Sequence, residues 1–141
     1  MAWLLRWHPY FWGEGKRFAF LCAVGNADEV AKGGKEASSA LPASLLASVV
    51  GRDTAATGGW KQALDAAVWE EYTSSSKHRT RYDPRSLLHL LRFMRNAHQH
   101  RHHRSGGSAD TTSAAANAAF VASGGIALYF LSRFPVLVVA V

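Results

Sequence analysis

A chain of 141 residues, 48% hydrophobic, with five tryptophans, seven phenylalanines and four tyrosines is long enough for one domain with a packed core. It is too aromatic to be wholly disordered. The lone cysteine, Cys22, excludes an intrachain disulfide and points to a reducing compartment; in its apolar run it reads as a small buried hydrophobe. The formal charge of +6 is local rather than spread, which makes the chain a candidate for a polyanionic partner: RNA, DNA or an anionic membrane.

In chain order, the apolar N-terminus is interrupted by Arg6, His8 and Pro9, too early for a signal peptide. Pro9 marks a turn or helix start, and residues 10–30 read as a helix with Phe11, Phe18, Leu21 and Val24 roughly on one side. Gly33 and Gly34 punctuate it. A short helix restarts after Pro42 through Leu45, Leu46 and Val49, and residues 51–59, rich in Gly, Thr and Ala, read as a loop. Residues 60–72 are a further helical candidate, with Leu64, Val68 and Tyr72 in i, i+4, i+8 register. Three serines, Ser74 to Ser76, then deliver the chain to its basic segment.

Residues 77–104 hold eight of the sixteen Lys and Arg side chains against a single acid, Asp83, together with six of the seven histidines. Asp83 and Pro84 have the order of an N-cap followed by the first helical position. Beyond them Leu87, Leu90, Leu91 and Met94 share one side of a helical wheel. Arg85, His89, Arg92 and Asn96 share the other, with Arg95 and Leu88 on a border. Residues 105–119 are low-complexity Ser, Ala, Gly and Thr and read as a flexible insertion, although residues 114–121 have helical composition. Residues 126–141 contain Arg133 and Pro135, are too short to cross a bilayer, and read as a buried helix end followed by a hydrophobic tail. Trp12, Phe130 and Phe134 read as core, and Arg133 as a structural ion-pair partner or an interface residue. No strand alternation of useful length is present, so the fold class is all-α, in one domain over residues 1–141.

The basic segment carries the ingredients for cleaving RNA without a metal. The ribose 2′-OH is the nucleophile, so the protein supplies a base, an acid and positive charge for the pentavalent phosphorus. Histidine suits the acid because its pKa lies near neutrality. Tyrosine is a weak base at its ordinary pKa of about 10, and nearby arginine charge favours the phenolate; Arg79, Arg81 and Arg95 are candidate neighbours of Tyr82. Arginine grips phosphate in a fork, and asparagine holds a ribose hydroxyl or a phosphate oxygen. Other readings stand beside this one. The tract His98, His100, His102, His103 has the spacing of a transition-metal site or of a solvated polar segment, Arg95 is ordinarily a solvated cation, and Asn96 a helix C-cap.

The run Leu90-Leu91-Arg92-Phe93-Met94-Arg95-Asn96 followed by His100 resembles the signature of the kinase-extension nuclease (KEN) domain, found in the inositol-requiring kinase/endoribonuclease and ribonuclease L family. Two further stretches agree in order. His8-Pro9-Tyr10-Phe11-Trp12 is similar to the family's HPFFW box, and residues 129–137, YFLSRFPVL, are similar to its terminal YFxSRFPxLL. Val49, Val50, Gly51 and Trp60 fall where plant-like members carry VxG and a tryptophan. The resemblance implies a compact helical ribonuclease domain, with residues 1–9 as the end of, or link to, an absent kinase lobe. It implies Tyr82 as general base or phosphate contact, Arg95 and Asn96 as holders of the scissile phosphate and neighbouring ribose, and His100 as general acid. Arg79, Arg81, Arg85, His89, Arg92, His98 and Arg101 would bind RNA. The implied products are a 2′,3′-cyclic phosphate and a 5′-hydroxyl, with no metal and no cofactor.

Five positions depart from the pattern. His89 stands for an aspartate that helps order the site around the arginine, and Leu88 for an arginine. Ala97 and His98 stand for a lysine pair, and Arg101 for the tyrosine after the catalytic histidine. The family's activity requires dimerisation driven by an adjoining kinase or pseudokinase, so a homodimer and a kinase partner are expected, along with single-stranded or hairpin-loop RNA. The location expected is cytoplasmic, or the cytosolic face of the endoplasmic reticulum if the parent is an unfolded-protein-response sensor. The competing readings are a catalytically impaired RNA-binding module and a kinase-docking module.

Overall fold

Apolar residues recur every three or four positions between Leu87 and Ala97, and that stretch becomes the central helix. The computed structural model describes residues 8–27, 43–74, 81–103 and 113–141, and among these every regular element is helical. A 3-10 turn, Pro9–Phe11, leads into α1 (Glu14–Gly25). Two helices, α2 (Ala43–Val50) and α3 (Arg52–Thr57), precede a second 3-10 segment, Gly59–Ala63, and α4 (Ala66–Thr73). The long helix α5 (Leu87–His103) follows, then α6 (Ala114–Ala122), α7 (Ile126–Arg133) and a last turn, α8 (Leu137–Ala140). The all-α expectation holds. No single helix among the described residues is long and apolar enough to cross a membrane; α6 and α7 reach that length only as a pair bent by 70°.

The core is built around α5. Leu87, Leu90, Leu91, Phe93, Met94 and Ala97 are all buried. Phe93 is surrounded by rings: Trp60 at 5.4 Å, Trp69 stacked at 5.9 Å, Tyr72 at 5.6 Å, Tyr82 at 5.1 Å and Phe130 at 6.3 Å. Edge-to-face and offset pairs of this kind add to the area they remove from water. On the other flank of α5 lies α1, which buries Phe18, Leu21 and Cys22. Phe130 and Phe134 are fully buried as expected, whereas Trp12 is only half-buried.

Five local expectations need correction, and each has a physical reason. The first helix does not begin at residue 10: Pro9–Phe11 is a 3-10 turn, Gly13 is extended, and Phe11 is 61% exposed rather than on the core side. Residues 52–57 are not loop, because Gly51 at φ +86° ends α2 and lets a second helix start at Arg52. The single helix expected over 60–72 is broken at Leu64 and Asp65, where the backbone is extended. There α7 holds Asp65: its N–H donates to Tyr129 Oη at 2.9 Å, and its carboxylate accepts from Tyr129 Oη at 2.8 Å and from Arg133 at 2.7 Å. Arg133 is therefore a structural ion-pair partner, and burial pushes the Tyr129 phenol up to about 12.

Asp83 is not the N-cap of the basic helix. Residues 83–86 form a turn in which Asp83 accepts from Arg85 N–H at 2.9 Å, and Ser86 Oγ accepts from His89 N–H at the true helix start. The turn is held by Trp60, whose backbone N–H donates to the Pro84 carbonyl at 3.0 Å and whose indole N–H donates to the Ser86 carbonyl at 2.9 Å. This approach requires Gly59: at φ +65°, a Cβ there would lie 2.0 Å from the Pro84 carbonyl oxygen. Finally, residues 114–119 of the expected flexible insertion are helical in α6, whose first turn is capped by Ser113 accepting from Ala116 N–H.

Candidate active site

Tyr82 lies in the extended lead-in to the 83–86 turn, and its ring is wedged edge-on against Phe93 and Trp60. That packing aims the phenol along α5 at Asn96, one turn beyond Phe93. Asn96 Nδ2 donates to Tyr82 Oη at 2.6 Å, and Arg95 donates through a terminal nitrogen to Asn96 Oδ1. On its other side Arg95 Nε donates to Asn26 Oδ1 at 2.7 Å. Because a guanidinium has no acceptor, both carboxamide oxygens must face it, which turns the Asn96 amino group toward the phenol. The result is a continuous chain, Tyr82–Asn96–Arg95–Asn26, joining a loop, α5 and the end of α1. Arg95 therefore reaches the phenol through the Asn96 carboxamide. Its charge is felt on the far side too: burial pushes the Cys22 thiol up to about 11, with Arg95 opposing the shift.

Asn96 sits inside α5, which continues to His103, so it is not a helix C-cap. His100 follows Asn96 by one turn on the same flank, half-buried, its imidazole stacked 6.5 Å from the Tyr72 ring. His98 points the other way and packs edge-on against Phe18 of α1 at 5.3 Å. The structure thus separates these two histidines: His100 shares the Asn96 flank, and His98 packs between α1 and α5. The side chains of Arg101, His102 and His103, and the whole of Arg79, lie outside the described residues. Among the described residues no three metal-ligating side chains stand close enough to hold an ion.

Of the remaining expected RNA contacts, Arg81 and Arg85 are exposed beside Tyr82, and Arg92 is half-buried on the His89–Asn96–His100 flank. His89 is held by the backbone of the turn before α5. Its Nδ1 accepts from the Asp83 backbone N–H at 2.6 Å, so the ring is neutral with its proton on Nε2. Burial holds its pKa below the usual histidine range, Asp83 opposes that shift and Arg92 adds to it. His89 is therefore an anchor for the residue next to Tyr82. It keeps an acceptor in the position where the KEN pattern has a carboxylate.

Asn26 and Gln99 were not visible as site residues in the sequence. Asn26 falls inside the stretch that the sequence reads as one helix over 10–30, whereas it follows the end of α1 in the structure, and Gln99 donates to its Oδ1 at 3.4 Å from one turn past Arg95. No local signal marks either, because their meeting depends on how α1 crosses α5.

The family model described as Ribonuclease 2-5A matches residues 17–141. No curated protein and no solved structure matches the chain. The matched span takes in α1 from Arg17 onward, the Tyr82 lead-in, all of α5 and the C-terminal helices, and so includes every residue of the hydrogen-bonded chain described above. The chain belongs to the Ribonuclease 2-5A family, the kinase-extension nuclease domain.

Proposed function

We propose that this chain is a metal-independent endoribonuclease that cleaves RNA by attack of the ribose 2′-OH on the adjacent phosphorus, giving a 2′,3′-cyclic phosphate and a 5′-hydroxyl. Family membership implies ribonuclease activity in general. The observation that carries the finer reading is the Tyr82–Asn96–Arg95 hydrogen-bonded chain with His100 one turn further along the same helix. In this reading Arg95 and Asn96 hold the scissile phosphate and its ribose, and the terminal guanidinium nitrogens stabilise charge on the phosphoryl oxygens. Tyr82 takes the 2′-OH proton or contacts the phosphate. His100 donates a proton to the departing 5′-oxygen, a role suited to a side chain that titrates near neutrality.

Hairpin loops and single strands are the favoured substrates, because the attacking oxygen must swing into line with the leaving oxygen and A-form duplex resists that geometry. Arg81, Arg85 and Arg92 supply non-specific phosphate attraction. The family binds RNA and is usually found with a kinase domain. We extend this to a homodimer, an adjoining or partner kinase, a role in the unfolded-protein response, and a site of action in the cytoplasm or on the cytosolic face of the endoplasmic reticulum.

The test is cleavage of a labelled hairpin RNA in EDTA by the 141-residue chain, with Arg95→Ala and His100→Ala alongside. Each substitution is expected to lower the rate by about 100-fold or more, and the product end should be a cyclic phosphate. Cleavage that persists in both variants overturns the site. Binding without cleavage by the parent at high protein concentration replaces the reading with an RNA-binding module.

A further inference from the structure

We infer that Asn26 is a positioning residue for the reaction: it acts from α1 to fix the plane of the Arg95 guanidinium, and Gly25 exists to let it do so. The inference rests on the ribonuclease reading of Arg95 and goes beyond the residues that reading names. A guanidinium bonded at one point, to Asn96, retains freedom to turn about that contact. The second bond, from Nε to Asn26 Oδ1 at 2.7 Å, pins it at two points on two different elements. The donors left on the terminal nitrogens then face one direction, which is what in-line phosphate stabilisation requires.

Three further observations fit that role. Asn26 spends its own backbone N–H closing α1, on the carbonyls of Cys22 and Ala23 at 3.0 and 3.1 Å, so its side chain is not occupied in capping. Gln99, one turn beyond Arg95 on the same helix, donates to the same Asn26 oxygen at 3.4 Å and keeps that oxygen turned toward α5. And Gly25 allows the approach: a Cβ there would lie 2.8 Å from the Leu91 carbonyl oxygen and 3.0 Å from Arg95 Cβ. The end of α1 therefore touches α5 at the turn that carries Arg95, and the next residue reaches the guanidinium with a short side chain.

The experiment compares the parent chain with Arg95→Ala, Asn26→Ala and Asn26→Asp. It uses steady-state cleavage of a hairpin RNA, thermal melting, and the Arg95 Nε–H resonance in 1H–15N spectra. Asn26→Ala is expected to lower kcat about tenfold with KM changed less than about threefold, to leave the melting curve in place because Asn26 is exposed, and to lose the exchange-protected Nε–H signal. Asn26→Asp keeps an acceptor in the same place and is expected to restore kcat to within about threefold and to retain the signal. Parental kcat in Asn26→Ala while Arg95→Ala is inactive overturns the inference and leaves the ribonuclease reading standing. So does a loss that Asn26→Asp fails to recover. If the parent does not cleave at all, the ribonuclease reading fails; the inference, which depends on it, falls too, and the Nε–H signal then reports only whether the structural clamp exists.

Discussion

His89 and Tyr82 are joined through one backbone amide, the Asp83 N–H that His89 accepts. His89 accepts the Asp83 N–H, and only neutral imidazole can do so. Its pKa in the folded chain is lowered from 6.5, first by burial, so the unfolded chain takes up this proton at higher pH than the folded one. The stabilising contribution of neutral His89 is therefore complete above about 6.5 and declines as pH falls toward the lower folded value. His89→Asn keeps an acceptor that does not titrate. Denaturant unfolding at pH 7 and pH 5 should show a smaller loss of stability on acidification in His89→Asn than in the parent; equal losses would remove His89 from that role. Tyr82→Phe keeps the ring against Phe93 and Trp60 but deletes the acceptor for Asn96. The expected cost is about 1 kcal/mol in stability, against a fall in cleavage rate of about 100-fold, measured by chemical denaturation and hairpin cleavage on the same preparation.

At the scale of elements, the turn that follows Tyr82 is held by a contact that sequence periodicity does not encode. Trp60 donates twice to the 83–86 turn, and Gly59 occupies a backbone conformation in which a Cβ would strike the Pro84 carbonyl. Gly59→Ala is expected to destabilise the fold by about 2–3 kcal/mol, from positive-φ strain and overpacking together. It should also lower cleavage in the surviving folded fraction, because Tyr82 leaves with the turn. Gly51→Ala is the control. It too has positive φ, but a Cβ would meet nothing within 4 Å, so it should cost stability without a comparable loss of rate per folded molecule. Much of the basic helix was legible in advance because its signal is local. The spacing of Leu87, Leu90, Leu91 and Met94 defines a buried face whatever surrounds it. Its start was misplaced because Asp83-Pro84 has a helix-start pattern that Trp60, remote along the chain, overrides.

For the whole molecule, charge and core are divided between the faces of one helix. The apolar side of α5 fills the centre of the fold, while Arg92, His89, Asn96 and His100 share the opposite flank beside the exposed Arg81 and Arg85. If Arg81, Arg85, Arg92 and Arg95 each neutralise one phosphate, binding of single-stranded RNA should weaken with salt at a log–log slope of about −3. Arg85→Ala should reduce that slope by about 0.7 and weaken all RNA sequences alike. A slope near zero in the parent would remove the cationic flank as an RNA surface.

The helical class, the two-faced central helix and the interval from Tyr82 to Arg95, Asn96 and His100 were determined by the sequence alone, because helical periodicity and motif spacing are properties of neighbours along the chain. Tertiary structure decided what those residues meet. It turned His98 into the packing against Phe18 and left His100 beside Asn96, made His89 an anchor for the Asp83 amide, interrupted the helix at Asp65 to bind Tyr129 and Arg133, and brought Asn26 to Arg95. The partners of His98, Asp65 and Arg95 are separated from them by long stretches of chain, and only the close crossing of packed helices determines which atoms come within reach.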